Sequence, residues 1–124
     1  MPVLGMGGYF FRAQDPAAVK AWYQKHLGVG GGHGVDPDTG QSNEWVWFQQ
    51  AGPTVFEPFK ADSDYFAADR QAMINLRVSD LAGLLASLRE AGIAIEREET
   101  MDGVGSFARI HDPEGNPIEL WEPS

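Results

Sequence analysis

The apolar positions of this chain fall into two matching series. Phe11-Arg12-Ala13-Gln14-Asp15-Pro16-Ala17-Ala18 returns as Leu76-Arg77-Val78-Ser79-Asp80-Leu81-Ala82-Gly83, at a constant offset of 65 positions. In each copy an apolar run carrying an arginine leads into an aspartate and then into helical spacing. Val19, Trp22 and Tyr23 recur at intervals of three and four, as do Leu81, Leu84, Leu85 and Leu88. The spacing predicts one helix over Pro16 to His26 and another from Asp80 to about Ala91. Asp15 and Asp80 are good caps for free amides at a helix start, and Pro16 suits the first helical position. Gly28 and Gly92 are natural stops.

Between these helices the pattern changes to short apolar runs bounded by Gly, Pro, Asn and Asp. Residues 4 to 13 predict a strand, with glycines at 5, 7 and 8 before Tyr9-Phe10-Phe11. Trp45-Val46-Trp47-Phe48 and Thr54-Val55-Phe56 predict an antiparallel pair joined around Gly52-Pro53. Met73 to Val78, a run beginning at Ile93-Ala94-Ile95, Ser106 to Ile110 and Ile118 to Trp121 complete the strands. Asp112-Pro113-Glu114-Gly115-Asn116 predicts a tight turn, Gly30 to Ser42 a loop, and residues 60 to 70 a polar linker with one helical turn near Tyr65-Phe66. Each half is then β-α-β-β-β, and the whole an α+β fold. It is expected to be a single domain over 1–124, with modules at about 4–60 and 71–123. Two copies of one unit complete a common core and leave a concave surface between them, a usual place for a ligand.

Composition narrows the functions. The chain has 124 residues, 43% of them hydrophobic, and no cysteine, which excludes disulfides, thiolate metal sites and a cysteine nucleophile. A formal charge of −9 with scattered Lys and Arg argues against nucleic acid. No stretch approaches a membrane span, and the N-terminal sequence lacks a signal pattern, so a cytoplasmic protein without membrane partners is expected. The serines lie outside any Gly-x-Ser-x-Gly elbow, and no Gly-x-x-x-x-Gly-Lys phosphate loop occurs.

The ending His111-Asp112-Pro113-Glu114-Gly115-Asn116-Pro117-Ile118-Glu119-Leu120-Trp121-Glu122-Pro123 resembles the closing hairpin of the glyoxalase/bleomycin-resistance/extradiol-dioxygenase superfamily, the vicinal oxygen chelate proteins. Ala21-Trp22-Tyr23-Gln24-Lys25-His26-Leu27-Gly28 is similar to that family's first helix and its Leu-Gly junction. The resemblance implies two βαβββ modules whose sheets curl into a partly closed cup, and a homodimer. It also implies a divalent metal in the cup of the enzymes, which binds two substrate oxygens and stabilises an oxyanion.

Set against that pattern, Glu119 matches the family's final-strand glutamate, and Glu57 is its counterpart in the first module. The first-strand positions, where the family carries histidines, fall on Gly8 and Met73. Glycine offers no donor atom and a thioether suits hard divalent ions poorly. No cofactor is therefore expected, although Glu57 and Glu119 alone could hold a labile Mg or Ca. His26 is expected to sit at a helix end, His33 in solvent, and His111 near the final turn, facing the cup or water.

Strand alternation sends Ile74, Leu76 and Val78 beneath the helix and Met73, Asn75 and Arg77 into the cup. The repeat puts Gly8, Phe10 and Arg12 on the matching face. Arg12 and Arg77 would then approach one cavity, either to hold a carboxylate, phosphonate or phenolate or to pair with Glu57 and Glu119. Trp45 and Trp47 share a face that points to the core or to the cup, and Trp47 is a wall of the site in the second case. Trp121 is expected beside Glu119. The favoured function is binding of a small anionic or carbonyl-bearing organic molecule. The alternative is a glyoxalase-like lyase or isomerase using Glu57 and Glu119 with a weakly held metal.

Overall fold

A computed structural model describes residues 2–124. Helix α1 (Pro16–Leu27) precedes strand β1 (Ile74–Arg77), helix α2 (Leu81–Glu90), β2 (Arg97–Met101), β3 (Gly105–His111) and β4 (Pro117–Pro123). The four strands form one mixed sheet, ordered β1-β4-β3-β2, that does not close into a barrel. β1 runs parallel to β4, and the other two pairings are antiparallel.

Both helices begin as their sequences predict. The Asp15 carboxylate accepts from the Ala18 amide at 3.2 Å, and the Asp80 carboxylate from the Gly83 amide at 3.0 Å. At the far end of α1, Gly28 adopts a left-handed φ of 64° while Gly28 and Val29 donate to the carbonyls of Gln24 and Tyr23. α2 ends one residue earlier than expected, at Glu90, with Gly92 left-handed just beyond it.

The core lies between the helices and one sheet face. Val19 and Tyr23 of α1 and Leu81, Leu85 and Leu88 of α2 pack with Leu76, Ala108, Ile110, Ile118 and Leu120. Ile74 and Val78 lie against the same cluster, as alternation along β1 requires. Ile93 and Ile95 also pack there but precede β2, which starts at Arg97 and not at the isoleucines.

The closing turn fastens α1 to this sheet. Buried Asp112 accepts hydrogen bonds from the Glu114 and Asn116 amides, the Asn116 side chain and the Tyr23 hydroxyl, at 2.8–3.0 Å. Burial, followed by the Asp112 bond and charge, pushes the Tyr23 phenol up, so it stays a donor. Glu114 accepts from the Gln14 and Asp15 amides at the start of α1, and Glu122 from the Leu81 amide at the start of α2. Several acidic residues of the closing segment therefore serve helix anchoring.

The first half departs from expectation. Residues 4–13, 45–48 and 54–56 form no strand ladder, and Trp45 lies in a turn closed by an isolated bridge between Asn43 and Val46. In the second half short turns join β2 to β3 and β3 to β4, and β1 adds to β4 in parallel across α2, whereas residues 4–13 are separated from the other two segments by a helix and a long Gly-rich loop. Their loop-closure cost is higher, Gly5, Gly7 and Gly8 contribute no side chain to pack, and Pro53 and Pro58 lack a backbone donor. Leu4 is 100%, Phe10 93% and Phe56 87% exposed.

Candidate functional site

The sheet face opposite the helices carries a row of polar side chains across all four strands. Cross-strand register aligns Asn75 with Glu119, Glu119 with Arg109, and Arg109 with Arg97. The next row aligns Arg77, Trp121, Phe107 and Glu99. Phe107 and Trp121 stack nearly parallel, 4° apart with centroids at 6.1 Å, while the Trp121 indole donates to the Val104 carbonyl at 3.0 Å.

Tyr65 covers the first row from the segment before β1. Its hydroxyl donates to Glu119 Oε2 in a short hydrogen bond, and Asn75 Nδ2 donates to Glu119 Oε1 at 2.8 Å. Arg109 Nη1 donates to the Tyr65 carbonyl at 3.0 Å. The guanidiniums of Arg109 and Arg97 lie 4.9 and 5.0 Å from the Tyr65 ring centroid, and Phe59 meets its edge. Tyr65, Arg97, Glu99, Phe107, Arg109 and Glu119 enclose a pocket with no water-sized space left in it.

Arg109 is the unusual member. Its side chain is 4% exposed and that of Glu119 10%. Their closest approach, Nη2 to Oε2, is 4.0 Å, close enough for charge attraction but too long for a hydrogen bond. Nε and Nη2 are both buried without a hydrogen-bond partner. An unsatisfied buried donor costs about 1–3 kcal/mol, and more on a charged group. Arg97 directly opposite adds like-charge repulsion, relieved by the Tyr65 ring, by Glu119 and by the Arg97–Glu99 pair at 3.3 Å. Burial, then the bond to Glu119 and the charges of Glu119 and Glu99, push the Tyr65 phenol up to about 12, with Arg109 opposing.

Of the residues singled out from sequence, Glu119, Asn75 and Trp121 lie on this face. Arg77 shares it too, but its Nη2 donates to the Gln50 carbonyl at 2.8 Å. Arg12 lies elsewhere, lining an open cleft of about 600 Å³ with Ala13, Gln14, Arg70 and Glu114. The two arginines therefore do not meet, and the cation beside Glu119 is Arg109. Phe10 and Glu57 are exposed in first-half segments that join no strand, and Glu57 shares no hydrogen bond or ion pair with Glu119 among the described residues. Trp47 packs against the helical core, and Trp45 is exposed near Lys20. Met73 is half-buried just before β1. His111 Nδ1 lies 3.3 Å from Glu96. His26 lies against Trp22, and the His33 backbone bonds to Gly30 and Phe48.

Arg109, Phe107, Arg97, Glu99 and Tyr65 were not anticipated. A signal for Arg109 was available: an arginine between Ala108 and Ile110 in a central strand must point away from the core and carry its charge across the other face. Tyr65 had none, since its partners lie 44 and 54 positions away.

This arrangement fits a bound metal poorly. Among the described residues no group of three His, Asp or Glu comes together. Glu119 is occupied by Tyr65 and Asn75, and the neighbouring guanidinium disfavours a second cation.

A profile of the Glyoxalase/Bleomycin resistance protein/Dioxygenase superfamily matches residues 5–120. The chain belongs to this superfamily. A search of curated proteins found no match. Among solved structures it is similar to TnmS3, an antibiotic-binding protein from Streptomyces sp. CB03234, with 22% identity, 100% and 99% of the two chains covered, and a TM-score of 0.61. It is also similar to a lactoylglutathione lyase from Agrobacterium tumefaciens (18% identity, 98% and 96% covered, TM-score 0.59). The trypanothione-dependent glyoxalase I of Leishmania major follows, at 20% identity, 90% and 81% covered, and a TM-score of 0.52. At such identities the likeness concerns the fold, shared by a binding protein and by enzymes alike. No helix among the described residues is long and apolar enough to cross a membrane.

Proposed function

We propose that this protein binds a small organic molecule through an anionic or carbonyl oxygen on the sheet face of Asn75, Glu119 and Arg109, without a catalytic metal. The observation that carries this reading is Arg109, whose Nε and Nη2 are buried and unpartnered beside a carboxylate that does not satisfy them. A ligand oxygen would supply that partner, and charge-assisted bonds from a desolvated guanidinium are strong. The antibiotic-binding neighbour supports the same class of role. The lyase alternative needs Glu57 and Glu119 to work together, and Glu57 is exposed whereas Glu119 is buried and bonded to Tyr65 and Asn75.

We further propose that the working form is a cytoplasmic homodimer made of single-domain chains with two modules. The exposed Leu4, Phe10, Trp45 and Phe56 support the dimer, because burying large apolar side chains drives association. Sedimentation should give twice the chain mass, and a monomer at micromolar concentration would refute it.

The test of the binding role uses 2-naphthoate as an anionic probe. The wild-type chain should bind it, with affinity at least tenfold lower in Arg109→Met. Addition of Ni, Zn or Mn should leave thermal stability unchanged. A metal-dependent rise abolished by Glu119→Gln would overturn the metal-free reading in favour of the lyase.

A further inference from the structure

We propose that Tyr65 is an internal stand-in for the ligand: the site takes an aromatic molecule bearing a hydroxyl group, which displaces Tyr65, lays its ring against Arg97 and Arg109, and donates its hydroxyl proton to Glu119. This rests on the binding role proposed above and adds to it: the anionic or carbonyl oxygen goes to Arg109 and the aromatic hydroxyl to Glu119.

What fills a site shows what the site can hold. The Tyr65 side chain is one wall of a pocket with no room for water, and its contacts are those of a ligand. Its ring sits within 5.0 Å of two guanidiniums, and its hydroxyl reaches the nearly buried Glu119 carboxylate. Arg97 and Arg109 are cross-strand neighbours of like charge, each beside one carboxylate, and an electron-rich face lying against both relieves their repulsion further. An aromatic ring offers that face, and an aliphatic alcohol does not. Two carboxylates, Glu99 and Glu119, face the same pocket, so the hydroxyl is held in its neutral, donating form.

Tyr65 is also attached in a way that permits exchange. It lies outside helix and strand, in a segment of turns between the two halves, and is absent from the buried core cluster. Beyond the Glu119 bond and the two guanidinium faces, it is held by its carbonyl on Arg109, by its amide on the Ser63 hydroxyl and by the edge of Phe59, and only the last of these involves the side chain. Swinging this side chain out leaves a phenol-sized space and frees the second oxygen of the Glu119 carboxylate. It also opens a path to Arg109 Nε and Nη2.

The experiment compares 2-naphthol, naphthalene and 2-naphthoate, by fluorescence titration at neutral pH, on the wild-type chain, Tyr65→Ala and Tyr65→Phe. Removing the stand-in should tighten 2-naphthol at least tenfold in Tyr65→Ala, with naphthalene gaining less than threefold. Tyr65→Phe, which keeps the ring but loses the Glu119 bond, should give an intermediate gain. It decides the matter if Tyr65→Ala proves unfolded by circular dichroism. An equal gain for naphthalene, or none for 2-naphthol, overturns the proposal. If 2-naphthoate still binds through Arg109 in that event, only the stand-in idea has failed. If no probe binds either variant, the binding role falls with it.

Discussion

The two halves of this chain carry the same sequence pattern and reach different ends. Both helices start on an aspartate cap at equivalent positions and bury their apolar stripes in one core. Around α2 the flanking segments become β1 to β4, a continuous ladder. Around α1 the corresponding segments join no sheet and stay largely exposed. A helix is specified within about a dozen neighbouring residues, whereas a strand needs an edge to pair with. In the second half tight turns pair β2 with β3 and β3 with β4, and β1 then finds the β4 edge across α2. The flanks of α1 join no such edge.

That contrast can be broken experimentally. The largest effect should come from the shared core: Leu88→Ala or Ile118→Ala is expected to destabilise the fold by about 2–5 kcal/mol in urea denaturation, since both are fully buried. Phe10→Ala, on an exposed first-half segment, should change monomer stability by less than about 0.5 kcal/mol and weaken self-association instead. A multi-kcal/mol loss in Phe10→Ala at a concentration where the chain is monomeric would show that the first half is built into the monomer core after all.

Next comes the fastening between halves. Asp112→Ala frees four donors, including the Tyr23 hydroxyl on α1, and should cost about 3 kcal/mol, with Tyr23→Phe near 1 kcal/mol. Amide exchange in α1 should rise more than in α2, because only α1 depends on that turn for its hold. Equal exchange in both helices would count against the fastening role.

The caps test the likeness of the halves directly. Asp15→Ala and Asp80→Ala should each cost about 1 kcal/mol by thermal unfolding. Unequal losses would mean that tertiary anchoring by Glu114 or Glu122 compensates at one end.

The smallest effect concerns Tyr65 between the halves. Its folded pKa, pushed up to about 12 from 10.0, favours the protonated phenol in the native state. The associated stability is fully present below pH 10 and is lost as pH rises through 12. In alkaline absorbance titrations the component removed by Tyr65→Phe should titrate near 12, and in Glu119→Gln it should move back toward 10.0. A Tyr65 component already titrating at 10.0 in the wild type would remove the hydrogen bond from the site.

Much of the second half was legible in the sequence. Leu76 beneath the helix, Asn75 and Glu119 on the opposite face, and the Asp-Pro-Glu-Gly-Asn turn all follow from alternation and turn chemistry. The same logic applied by symmetry to the first half placed Arg12 and Phe10 in the site, and there it failed. Alternation assigns a face only once a segment has joined a sheet, and that pairing is a long-range event. Arg77 was placed on the correct face, but its guanidinium is taken by the Gln50 carbonyl, a contact that no local pattern contains.

The sequence by itself determined the family, the helices with their caps and stops, the core stripe and the sheet face on which Glu119 stands, because these depend on residue type and near-neighbour spacing. Tertiary structure decided which arginine stands beside that glutamate and which side chain covers it. Arg109 reaches Glu119 through strand register, and Tyr65 reaches both across 44 and 54 positions of chain. Contacts over such separations are set by how the sheet and the connecting segment pack, since many different loops of equal length would satisfy the same local preferences.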